Sequence, residues 1–175
     1  MRKLLPNVLV FLLAAFPAVA ERPSKIAFVD TGNTGRSLTA EAIANQIIEE
    51  KHLNALVISR AVDVDPFEVR PEAFAAELLK QRGLDVSHHR AQQLTAQDVK
   101  HADVIVTMTA KHRDAVIALY PEARDKVFTI AEYATGKPGE VADAYGKPMA
   151  VYETMVKQVG DFVPLVLEKA PHKPD

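Results

Sequence analysis

Four short apolar runs, spaced out by longer amphipathic stretches, set the rhythm of the chain from Ser24 onward. The runs cover residues 26–29, 56–61, 104–108 and 127–130. Each is short and rich in apolar side chains, which predicts strands rather than helices, with 104–108 a buried one. Between the runs, apolar residues recur at helical spacing. Leu38, Ala42, Ile43 and Ile47 predict a helix over 38–50. A second helix, with Pro71 in its first turn, runs to Gln81 and stops at Arg82-Gly83. A third is predicted over 110–119, ended by Tyr120-Pro121. A Gly- and Pro-rich loop over 135–148 leads into a last helix over 149–168, which Gly160 and Pro164 kink or end early. Alternation of this kind implies an α/β sandwich with a parallel sheet, helices on both faces and right-handed crossovers.

The first twenty residues follow a different pattern. Arg2 and Lys3 precede an apolar core over 8–16, and Ala18-Val19-Ala20 forms a small-residue cleavage site before Glu21. This is the layout of a signal peptide, and the apolar core is too short to favour a membrane span. The expectation is an exported, periplasmic or secreted protein, with residues 1–20 removed and no stable membrane insertion of the rest. A single domain is expected over 21–170, followed by a frayed tail over 171–175.

Composition narrows the function. Without residues 1–20 the chain carries 19 basic against 23 acidic residues and no basic run, so a nucleic-acid footprint is not expected. Cysteine is absent from the whole sequence. An exported chain without cysteine is no disulfide scaffold, and thiol chemistry is closed to it.

Candidate chemistry concentrates at residues 26–37, Ile-Ala-Phe-Val-Asp-Thr-Gly-Asn-Thr-Gly-Arg-Ser. A strand, a loop holding Gly32, Asn33 and Gly35, and the start of a helix aim backbone N–H groups at one spot, where Arg36 adds a bidentate clamp. Ligands of open α/β sheets bind at the carboxyl ends of the strands, where this loop falls. The segment resembles the active-site loop of the low-molecular-weight protein tyrosine phosphatases: a Cys, five residues, then Arg-Ser. Asp30 stands where that Cys belongs, and Gly35 where many members carry a second Cys. Further along, Ser87-His88-His89-Arg90-Ala91 through Leu94-Thr95, the strand Ala102-Asp103-Val104-Ile105-Val106-Thr107-Met108, and Asp143-Ala144-Tyr145-Gly146 resemble three more motifs of that family, in order.

The resemblance implies a three-layer sandwich with a four-stranded parallel sheet. It also implies roles. Thr31, Gly32, Asn33, Thr34, Gly35, Arg36 and Ser37 become the phosphate-binding loop, with Asn33 as its brace and Ser37 as the hydroxyl beside the nucleophile position. Asp143 becomes the proton donor to the leaving group, and Tyr145 an aromatic at the pocket entrance. Ala144 departs from the family's Pro and loosens that loop. His88, His89 and Arg90 fall in a stretch the family uses structurally. Arg60 stands where the family has small residues, and is either solvated or a second cation in the pocket.

Asp30 decides the chemistry. A carboxylate is a poorer nucleophile than a thiolate and repels a phosphate dianion. The expectation is that Asp30 pairs with Arg36 and the loop amides, and that these hold its pKa below the ordinary carboxylate value. No metal or cofactor is expected, with Mg²⁺ held by Asp30 and Asp143 as the variant of that view. Three readings follow. One is a pseudophosphatase or phosphoester-binding module taking phosphate, sulfate or a phosphorylated small molecule or protein. Another is a phosphomonoesterase using Asp30 or a metal-activated water. The last is an interaction protein with a sealed loop.

Overall fold

The computed structural model describes residues 21–171 together with 173 and 174, so the signal-peptide assignment to residues 1–20 lies outside the described residues. In chain order the elements are β1 (Glu21–Arg22), β2 (Ser24–Asp30), α1 (Arg36–Lys51), β3 (Ala55–Ala61), α2 (Ala73–Gln81), α3 (Ala96–His101), β4 (Val104–Thr107), α4 (Ala110–Leu119), a 3-10 turn (Pro121–Lys126), β5 (Val127–Thr129), α5 (Ile130–Thr135), α6 (Met149–Lys169) and β6 (Lys173–Pro174). The main sheet has four parallel strands in the order β3-β2-β4-β5.

The alternation of side chains along β2 builds both faces of the core. Ile26 and Phe28 pack with α1, α2, α5 and α6, while Ala27 and Val29 pack with α3, α4 and the 3-10 turn. A parallel strand covered on both sides must be apolar throughout, which is why 26–29 reads as a continuous run. β4 repeats the arrangement, with Val104 and Val106 on one face and Ile105 on the other. α6 closes the larger layer through a stripe of Tyr152, Met155, Val156, Val159, Val163, Val166 and Leu167.

The sequence expectations need four corrections. Pro71 lies outside α2: Glu72 is the N-cap, in extended conformation, because its backbone N–H is tied to the Thr34 carbonyl at 3.0 Å. α6 runs unbroken through Gly160 and Pro164. The bond Pro164 cannot make falls on the Gly160 carbonyl, and the buried valines on either side hold the helix across that gap. Three short elements carry no long periodicity and were not anticipated, namely α3, α5 and the 3-10 turn. Both helices start on capping boxes, Thr95 with Asp98 and Thr129 with Glu132, so Ile130 opens a helix instead of ending a strand. Lastly, residues 173 and 174, placed in the frayed tail 171–175, pair antiparallel with β1, and the Ser24 hydroxyl donates to the Pro171 carbonyl at 2.5 Å.

Phe28 is fully buried at the centre of the larger core layer. Phe28→Ala is expected to cost about 3–5 kcal/mol of stability. Urea denaturation checks this, with a lowered midpoint and an unchanged slope as the expected outcome.

Candidate functional site

Asp30 ends the central strand, and the five residues after it turn the chain into α1. That turn depends on Asn33, which adopts a left-handed φ of 58° and is fully buried. Its side chain spans the loop. The amide nitrogen donates to Ser37 Oγ at 3.0 Å, and the amide oxygen accepts from the Gln92 N–H at 3.0 Å. His89 Nε2 lies 2.8 Å from the Asn33 carbonyl oxygen. The stretch before α3 therefore clamps the loop from outside, and His89 serves that clamp.

The Asp30 carboxylate lies inside the loop. Oδ1 accepts from the Asn33 N–H at 2.6 Å and Oδ2 from the Ser37 N–H at 2.8 Å, while the residue is 2 % exposed. Ser37 belongs to the first turn of α1, whose N-cap, Gly35, has no side chain to bond the orphan amides. Asp30 supplies that bond from a distance and places its charge at the positive end of the helix. Even so, burial pushes the Asp30 carboxyl above its ordinary value, outweighing the Ser37 and Asn33 amides and the Arg36 charge that pull it down. The expected depression of this pKa is thus reversed, because little water reaches the carboxylate.

Arg36 has a different partner from the one expected. Its Nη2 lies 3.5 Å from Asp143 Oδ1, and it acts on Asp30 through its charge and not as an ion-pair partner. The Asp143 side chain is 66 % exposed, at the mouth of a cavity of about 540 Å³. Asp30, Thr31, Gly32, Thr34, Arg36, Asp143 and Tyr145 all line this cavity. Asn33 and Ser37 are fully buried behind it.

Sequence reasoning missed much of the wall. Asp63, Asp65, Glu68 and Glu72, from the segment between β3 and α2, line it as well, beside Val64 and Pro66, so six carboxylates share the cavity with the single guanidinium of Arg36. Tyr145 leans on this wall, its hydroxyl donating to Glu68 at 2.6 Å. The signal was the set of spaced acids after β3, which reads as an ordinary solvated loop; Asp63, Asp65 and Glu68 remain exposed, and the fold brings them to the rim of the cavity.

His112 was missed as well. It sits in the first turn of α4 with Nε2 2.9 Å from Thr31 Oγ1, and its buried Nδ1 has no partner. Burial, helped by the Arg36 charge, pushes its pKa down to about 4. Arg60 does not reach the cavity: it pairs with Asp98 at 3.1 Å. Among the described residues no group of three or more His, Cys, Asp or Glu side chains is placed to hold a metal ion.

The low molecular weight phosphotyrosine protein phosphatase family model matches residues 25–170. The chain is 37% identical over 129 residues to a protein-arginine-phosphatase of Bacillus subtilis, covering 73% of this chain and 84% of the relative. It superposes with a TM-score of 0.78 and 35% identity on a low molecular weight protein tyrosine phosphatase from T. tengcongensis, covering 83% of this chain and 99% of the other. A mutant of the arginine phosphatase YwlE, solved with a phosphorylated active-site serine, gives a TM-score of 0.78 at 32% identity, covering 82% of this chain and 93% of the other.

The neutral His112 ring gives the fold a defined pH dependence. A base whose folded pKa is lowered contributes stability that is fully present above its ordinary 6.5 and is lost as the pH falls towards about 4. Thermal melts across this window are expected to show a smaller loss of Tm in His112→Gln than in wild type. Equal losses in the two proteins would show that the ring is not held neutral.

Proposed function

The chain belongs to the low molecular weight phosphotyrosine protein phosphatase family, and from that premise we propose an exported oxyanion-site protein without thiol chemistry, a pseudophosphatase whose cradle is filled by its own carboxylate. The observation that carries this reading is the seating of Asp30 on the Asn33 and Ser37 amides, and the resemblance of the loop motif assigns Asp30 to the nucleophile's place. Two backbone donors of the loop are already taken by the protein's own carboxylate. An incoming dianion also meets the Asp30 charge, when ionised, at close range. For unit charges about 4 Å apart at an effective ε of about 20, that repulsion is on the order of 4 kcal/mol before screening.

The wall and the relatives support a ligand class. Names of relatives include both arginine and tyrosine phosphatases, which supports a phosphorylated protein side chain as ligand. A wall with six carboxylates and one guanidinium favours a phosphoryl group borne on a cation, and a phosphorylated arginine carries its guanidinium beside the phosphorus. Export rests on the pattern of residues 1–20. No helix among the described residues is long and apolar enough to cross a membrane.

One observation favours a second reading. The YwlE mutant carries a phosphoryl group on an active-site serine, so an oxygen at that site of a relative accepts phosphorus. In this chain an Asp30 oxygen would attack phosphorus as the ester or amide bond breaks, Asp143 would protonate the leaving group, and water would hydrolyse the aspartyl phosphate. Against it, both Asp30 oxygens are engaged by amides.

Calorimetric titration with inorganic phosphate separates the two. Binding is expected to be at least roughly tenfold tighter in Asp30→Ala and Asp30→Ser than in wild type, since one close negative charge is removed. Equal or weaker binding in both folded variants would refute the self-filled cradle. In a metal-free aryl phosphate assay, wild type is expected to be inactive and Asp30→Cys to regain weak activity. Wild-type turnover that disappears in Asp30→Asn would establish the aspartyl-phosphate reading instead.

A further inference from the structure

We propose that Glu72 is a specificity-determining residue of this site: its carboxylate, seated against Gly35, excludes an oxyanion that does not bring a proton or a cation with it. The inference rests on the reading of the loop as an oxyanion site.

Glu72 is held as part of that loop. Its backbone N–H donates to the Thr34 carbonyl at 3.0 Å, Oε1 accepts from the Thr34 hydroxyl at 3.2 Å, and Oε2 accepts from the Tyr152 hydroxyl on α6. The space it occupies exists because residue 35 is glycine. A Cβ at Gly35 would lie 2.5 Å from Oε1 and 3.0 Å from Cδ of Glu72. The φ of Gly35 is −128°, outside the left-handed region that favours glycine. The missing side chain makes room for the carboxylate.

Its electrostatic surroundings are lopsided. Arg36, at the start of α1, is the cation that acts on Glu72, while Asp30, at the end of β2, is an anion that acts on it. Glu68, Asp63, Asp65 and Asp143 line the same cavity, and Tyr145 adds a neutral phenol. Burial pushes the Glu72 carboxyl above its ordinary value, Asp30 adds to the rise, and the Tyr152, Thr34 and Arg36 interactions do not cancel it. Removing Asp30 alone therefore leaves a second carboxylate competing with any anion for Arg36. A dianion enters freely only when Glu72 is neutralised. An anion that carries its own cation offsets the same charge.

Sulfate is the probe, because its charge stays constant between mildly acidic and neutral pH and any proton taken up belongs to the protein. Calorimetry at both pH values compares wild type, Asp30→Ala, Asp30→Ala/Glu72→Gln and Asp30→Ala/Gly35→Ala, with circular dichroism confirming the fold of each. Asp30→Ser replaces Asp30→Ala throughout if the latter does not fold. We expect Asp30→Ala to bind sulfate more tightly as the pH falls. The Asp30→Ala/Glu72→Gln variant is expected to bind at least roughly tenfold tighter than Asp30→Ala at neutral pH, as removal of one nearby charge implies, and to lose most of the pH dependence. Asp30→Ala/Gly35→Ala, which displaces the carboxylate without deleting it, should reproduce the neutral-pH gain.

Equal affinity and equal pH dependence in Asp30→Ala and Asp30→Ala/Glu72→Gln would overturn the Glu72 assignment while leaving the Asp30 reading intact. Tight binding only in the Glu72 double variant would uphold Glu72 and overturn Asp30 as the principal block. Absence of sulfate binding in every folded variant would overturn the oxyanion reading and this inference together.

Discussion

The site depends on one buried interaction, the Asp30 carboxylate bonded to the Asn33 and Ser37 amides at the N-terminus of α1. A helix end without a capping side chain needs acceptors, and a buried carboxylate needs donors. In this loop each supplies the other. The same two bonds fix the path of the chain from β2 into α1. Asn33 extends the constraint outward by tying Ser37, Gln92 and His89 to the loop. The loop is thereby held around the protein's own carboxylate.

This arrangement reconciles membership of a phosphatase family with a sequence that contains no cysteine. A loop that had merely lost its nucleophile would leave a vacant anion site with a free arginine. Here Arg36 lies beside Asp143, Asp30 takes two amides, and Glu72 fills the gap at Gly35. Three carboxylates from three separate segments converge on a motif otherwise built for negative charge. On the proposed reading this cavity selects against free dianions, and charge compensation decides what enters.

Much of the fold was legible because its signals are local and repeated. The apolar run at 26–29 is continuous since β2 is buried on both faces, and the stripe along α6 is regular since a single face meets the core. Elements of six residues are too short to show a period, so α3 and α5 were readable only from the capping pairs Thr95/Asp98 and Thr129/Glu132. The site was legible where chemistry is contiguous in sequence, from Asp30 to Ser37. It was not legible where the chain returns from elsewhere. Glu72 looks like a solvated acid after Pro71, and His112 like a polar helix residue, until packing places one against Gly35 and the other against Thr31. The direction of the Asp30 pKa shift was misjudged for the same reason. Donors can be counted along a motif, whereas burial is a property of the whole fold.

The central claim is tested most directly by following the Asp30 carboxyl carbon and the Asn33 and Ser37 amide protons by NMR through a pH titration. A buried carboxylate bonded to both amides predicts a midpoint above the ordinary 3.8, with both amide resonances moving at that same midpoint. A midpoint at or below 3.8, or amides indifferent to the titration, would contradict it.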